Sequence, residues 1–245
     1  MFIRHVGHVV TAEHASRDVP AGLELGVPNE VFDTHVVWDP GARELAARVA
    51  LALDAPIVLG KYTRLVADLN RSPTNAAAIP VHAFGVDVPG NAALAEAERA
   101  ERLERFHRPY WTEVFGDIER ALRSSEVVVH LSMHSFTPVY RGVTRDLDVG
   151  VLFDPGRELD RRFAELCLST LRARGLAALA NEPYHGLDDG IATALRAVHP
   201  EDRFVAVEIE LSHRTFPLGA ALESPLTIAV ADALIEVARS GAWAA

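Results

Sequence analysis

Glu126 to Ser135, EVVVHLSMHS, is the stretch that decides how this chain folds. Its first seven residues, EVVVHLS (126–132), are apolar where both faces of a strand would lie, as expected for a strand inside a sheet that helices cover on both sides. The run then closes on Met133-His134-Ser135, which places chemistry-bearing side chains at a strand end. Comparable β-type runs recur on either side of it: VGHVVTA (6–12), APIVLG (55–60), RLVAD (64–68), DVGVLF (148–153), LAALA (176–180) and FVAVEIEL (204–211). Helical patterns alternate with them. Asp39-Pro40 reads as an N-cap followed by proline in the first turn, and Ala42, Leu45, Ala46, Val49 and Leu53 then repeat at helical spacing, so a helix is expected over 40–53. Further helical zones are expected at 91–123, broken at Pro109, at 157–174 and at 223–240. The charged face of 96–105 reads as solvated surface, and the Pro/Gly-rich piece 72–90 as one long loop. The class is α/β, with a mostly parallel sheet between helical layers.

The 245 residues are 49% hydrophobic and 24% charged, which is ordinary globular composition and excludes a disordered or fibrous chain. One domain over 1–245 is expected. With 34 acidic against 24 basic side chains the formal charge is −10, which repels phosphate backbones and anionic lipid, so nucleic acid and membranes are not expected partners. The single cysteine, Cys167, lies in the apolar helical stretch RFAELCLSTLRA and reads as a buried structural thiol. There is no run of 18 apolar residues, and MFIRHVGHVVTAEH lacks signal-peptide anatomy, so a cytoplasmic protein is expected.

Ionisable residues gather where the strands end: Glu13-His14, Asp68-Leu69-Asn70-Arg71, His134, and Glu208 with Glu210. Carboxyl ends of strands in an open α/β sheet converge on one crevice, so residues distant in sequence can share a site there. Two histidines and a carboxylate from separate strand ends are the ligand set of a catalytic zinc that keeps a position for water. His14, His134 and one Asp or Glu can supply it, although a histidine at a strand end is also commonly a hydrogen-bonded surface group. Ser135 beside His134, and Ser212 beside His213, offer acyl-serine chemistry, but no G-x-S-x-G elbow occurs and neighbours on a strand point to opposite faces. No phosphate-binding glycine loop is present. Arg64, Arg71 and Arg145 are forks suited to a carboxylate or an oxyanion, or else surface cations paired with acids such as Asp68.

In their order and spacing, TAEHASRDVP (11–20), HVVWDPGARELA (35–46), YTRLVADLNRSP (62–73), MHSFTPV (133–139), RGVTRDLDVGVLFD (141–154), NEPYHG (181–186) and VEIELSHRTF (207–216) resemble the N-formylglutamate amidohydrolase family. The resemblance implies a fold similar to that of zinc carboxypeptidases, a three-layer sandwich around a mixed, mostly parallel sheet. It implies zinc held by His14, His134 and a third ligand. Carboxypeptidases place a glutamate three residues after the first histidine, where this chain has Arg17. The third ligand is then Asp39, with Asp18 and Glu13 as alternatives and helix capping as the bland reading of Asp39. Glu210 resembles the general base, with Glu208 as competitor on the same strand face. Arg64 resembles the arginine that polarises the scissile carbonyl, and Asn70 with Arg71 the pair that grips a substrate carboxylate, with Asp68 buttressing an arginine. Tyr184 and Arg145 match positions that contact substrate. The implied reaction is hydrolysis of a small-molecule N-acyl amino acid, N-formyl-L-glutamate first. The alternatives are another deacylase, a carboxypeptidase-like peptidase, or a noncatalytic carboxylate-binding protein. LSHRTF departs from the more basic segment of typical relatives, so side-chain selectivity is expected to differ there.

Overall fold

The computed structural model describes residues 5–215 and 224–244. Six strands form one sheet: β1 (Val6–Ala12), β2 (Ile57–Leu59), β3 (Val127–Phe136), β4 (Val149–Leu152), β5 (Ala178–Ala180) and β6 (Phe204–Ser212). Their spatial order is β2-β1-β3-β6-β4-β5. The first four in that order are mutually parallel, β4 runs antiparallel to β6, and β5 is parallel to β4. The mixed, mostly parallel sheet expected from the sequence is therefore present.

Alternation along each strand sends side chains to two different cores. Val127, Val129, Leu131 and Met133 of β3, with Val205, Val207, Ile209 and Leu211 of β6, pack against α1 (Ala42–Leu53), α3 (Glu158–Ala173) and α5 (Pro225–Ser240). Val128 and Phe204 face the other way, onto Tyr110, Val114 and Ile118 of α2 (Arg108–Ser124) and Ile191 and Leu195 of α4 (Ile191–Val198). Helices thus cover both faces. Cys167 is fully buried in the larger core, and burial pushes its thiol well above the usual range, as suits a structural residue. Among the described residues no helix is long and apolar enough to cross a membrane.

Three local expectations are corrected. RLVAD (64–68) is not a strand. Leu65 and Val66 are fully buried, but in a third cluster with Val36, Val37 and Val88, and the segment's backbone bonds go to Val37 and Ala78 rather than to a sheet neighbour. Short apolar runs do not distinguish a strand from a buried turn. The helix after Asp39 starts at Ala42, with Gly41 at its N-cap in the left-handed region (φ 86°), so the Asp39 carboxylate caps nothing. Pro109 does not break its helix either: a π-helical turn at Leu103–His107 precedes α2, and Pro109 sits in α2's first turn, where a missing N–H costs little. Helix α4, unforeseen in the sequence, follows Gly190.

Candidate active site

The two faces of the sheet diverge in chemistry toward the strand ends. On the α2/α4 side β3 reads Val128, His130, Ser132, His134 and β6 reads Phe204, Ala206, Glu208, Glu210, with Glu208 opposite Ser132 and Glu210 opposite His134. β1 contributes Val9 and Thr11 on that side and leads into Glu13 and His14. The first residues of each strand bury against the helices, and the last ones open a polar floor.

His14, Asp39 and His134 meet on that floor, all buried, with one ligand atom from each within 4.8 Å of the others. The Nδ1 atoms of His14 and His134 lie 3.2 and 2.9 Å from the same Asp39 Oδ2. Arg64 donates to the other Asp39 oxygen. Each imidazole has its second nitrogen on a buried carboxylate: His14 Nε2 lies 2.7 Å from Asp68, and His134 Nε2 lies 3.0 Å from Glu13. Burial, followed by the nearby Arg64 charge, lowers His14 to about 4 and keeps it neutral. With its proton on Nε2 toward Asp68, the Nδ1 lone pair faces a carboxylate oxygen. Two acceptors so close are favourable only with a cation between them, and imidazole nitrogens with carboxylate oxygen are donors suited to a borderline divalent metal. The group can hold a metal ion, and the carboxylates behind both rings would fix them for it. His134 is pushed the other way: burial would lower it, but the hydrogen bond and charge of Glu13 raise it, while Glu13 is held well below the usual carboxylate range.

Glu208 and Glu210 are both buried, since β6 is an interior strand. Their partners differ. Glu208 Oε2 accepts from Asn70 Nδ2 at 3.0 Å, whereas Glu210 Oε2 is buried with no hydrogen-bond partner. Burial raises Glu210 to about 7; the charge of His134 opposes that shift and the charge of Glu208 adds to it. Asn70 is pinned from its other end by the Ile191 N–H, which donates to its Oδ1 at 3.0 Å where α4 begins. Gly190 makes that approach possible, because a Cβ there would lie 2.5 Å from Asn70 Oδ1. Arg71 donates to the carbonyls of Asn70 and Asp189 at 2.7 and 2.9 Å.

A pocket of about 150 Å³ opens above these groups. His14, Asp39, Arg64, Asn70, Arg71, His134, Tyr184, Glu208 and Glu210 all line it, so the structure brings together nearly every residue singled out in the sequence. Arg145 stands behind Tyr184, donating to its hydroxyl at 3.3 Å with its guanidinium stacked on Tyr140 and Tyr184. Asp18 is exposed and lines no part of the pocket, and Glu13 touches the far side of His134. Asp68 hydrogen-bonds His14, not an arginine. Ser135 Oγ has no hydrogen-bond partner; the serine that meets His134 is Ser132, whose Oγ lies 3.0 Å from Nε2 and donates to Glu13. His35, Phe84, Asp188 and Asp189 line the pocket but were not singled out as site residues. For the aspartates a signal existed, an acidic pair and a glycine directly before the apolar start of α4; for Phe84 none did.

The family described as N-formylglutamate amidohydrolase matches residues 6–216. Among solved structures, a gene product of Agrobacterium tumefaciens is 32% identical with a TM-score of 0.79, over 96% of this chain and 89% of that one. The N-formylglutamate amidohydrolase from Ralstonia eutropha is 19% identical with a TM-score of 0.69, over 95% and 93% of the two chains, and shares the fold. None of the curated proteins matches the chain.

Proposed function

Because the chain belongs to the N-formylglutamate amidohydrolase family, we propose that it hydrolyses the amide of a small N-acyl amino acid, N-formyl-L-glutamate first, with zinc as its metal. The observation that carries this reading is the meeting of His14, Asp39 and His134 within 4.8 Å beside the unpartnered Oε2 of Glu210. His14, His134 and Asp39 would hold the ion. Bound there, zinc supplies Lewis acidity and brings the pKa of water toward about 7.

The remaining work falls to the protein's own side chains. Glu210, which lines the pocket and whose carboxyl burial raises to about 7, takes the proton of the attacking water on its carboxylate and returns it to the departing amine. Glu208 is the poorer candidate, because Asn70 already occupies its Oε2. Arg64, buried beside Asp39, stabilises negative charge growing on the carbonyl oxygen. Asn70 and Arg71 grip the α-carboxylate, and Arg145 with Tyr184 reads a second acidic group on the substrate. A pocket of about 150 Å³ suits a small acyl amino acid and not a folded polypeptide.

The experiment is metal analysis together with formate release from N-formyl-L-glutamate, before and after chelation. Stoichiometric zinc, with activity lost on chelation and restored by the ion, is expected; full activity in metal-free protein rejects the reading. A panel of N-acyl amino acids separates this substrate from other deacylase substrates.

A further inference from the structure

Beneath the metal-ligating side chains lies a second row of buried polar groups with no part in the reaction just described. Glu13 is fully buried, and among the described residues it pairs with no lysine or arginine. Three groups from two other elements aim at it. Tyr110 of α2 donates its hydroxyl to Oε1 at 2.8 Å, Ser132 of β3 donates to Oε2 at 2.5 Å, and His134 Nε2 stands 3.0 Å from that same oxygen. Tyr110 is itself buried, and its hydroxyl also bonds Thr11 and, at 3.4 Å, the Val58 carbonyl. A carboxylate this deep is costly unless its lone pairs are occupied, and here a tyrosine and a serine occupy them while fixing the carboxylate plane. An imidazole has two nitrogens that can change places by rotation of the ring. With Nε2 held between Glu13 Oε2 and Ser132 Oγ, each 3.0 Å away, Nδ1 is the nitrogen left facing Asp39.

We propose that Glu13 and Tyr110 are positioning residues for the metal centre: Tyr110 holds Glu13, and Glu13 holds the His134 ring with Nδ1 turned toward the ion. Glu13 therefore acts behind the ligand and not as the third ligand. The inference rests on the reading of His14, Asp39 and His134 as a metal site. A cross-link that merely fastens α2 to the sheet would lower thermal stability and leave metal affinity untouched, and that difference makes the two roles separable.

The test measures dissociation constants for Zn²⁺ and Co²⁺ by chelator competition, with the absorption spectrum of the Co²⁺ form, on the full chain and on Glu13→Gln, Tyr110→Phe and His134→Ala. Glu13→Gln is expected to weaken binding by about 10–100-fold, as loss of a carboxylate behind a histidine ligand typically does. Tyr110→Phe, which keeps the ring and removes one bond to Glu13, weakens it in the same direction by less and alters the Co²⁺ spectrum. Both variants binding as tightly as the parent, whatever their melting temperatures, overturns the proposal. If Glu13→Gln does not fold, Tyr110→Phe decides alone. A parent that binds neither ion sinks the proposed function and this inference together; binding lost in His134→Ala but unchanged in the other two sinks only the inference.

Discussion

Glu208 and Glu210 are two positions apart on one face of β6, and their local sequence does not tell them apart. Their partners do: the amide of Asn70 holds the first, and the second keeps a buried oxygen without a hydrogen-bond partner. Glu210→Gln should lower kcat by about 10²–10⁴-fold, the usual worth of a positioned base, while zinc content measured by metal analysis stays at the parent level. An unaffected Glu210→Gln enzyme would transfer the role to Glu208. Burial sets Glu210 near 7, above its value in the unfolded chain, and the form that accepts a proton is the carboxylate. The sign follows: kcat/KM falls as pH drops below about 7 and levels off above it, and a pH–rate profile of the free enzyme reads this limb directly. His134→Ala, by contrast, should lose metal and activity together.

At the scale of elements, the site depends on a helix start meeting a loop. The first N–H of α4 fixes the carboxamide of Asn70, and only a residue without Cβ fits between them. Gly190→Ala forces Asn70 to move although its backbone is in the extended region that any residue adopts. A displacement near 1 Å at a positioning group can cost about 10²-fold, so Gly190→Ala should lower kcat/KM by one to two orders of magnitude, with a far smaller change in melting temperature. Equal kcat/KM in the two proteins would show that Asn70 does not need this anchor. Neither α4 nor its contact was legible in the sequence. Eight residues carry too short an apolar pattern, and the value of Gly190 lies in a neighbour 120 positions away. RLVAD failed for the related reason that apolar content predicts burial and says nothing about which partner supplies the backbone hydrogen bonds.

For the whole molecule, stability and site are linked through the sheet. Phe163, fully buried and edge-on to Trp243 at 5.1 Å, belongs to the core on the face away from the pocket. Phe163→Ala should cost about 3–5 kcal/mol. At roughly 2–4 °C per kcal/mol for a chain of this size, that is a fall of about 10 °C in Tm, measurable by thermal denaturation, with kcat little changed in the protein that remains folded. Zinc that binds only the folded state should raise Tm, by about 2.7 kcal/mol of added stability at a hundred times its Kd, and the gain should vanish in His134→Ala. The sequence by itself determined the α/β class, the strands that form the sheet apart from RLVAD, and many of the ionisable residues that line the pocket, though not His35, Phe84, Asp188 or Asp189. It could do so because hydrophobic periodicity is local and because strand ends in such sheets always converge. Tertiary structure alone decided that Asp39 faces two imidazoles instead of capping α1, that Glu13 stands behind His134, and which of two equivalent glutamates is free. Those choices depend on distances between segments far apart in the chain, which no local pattern encodes.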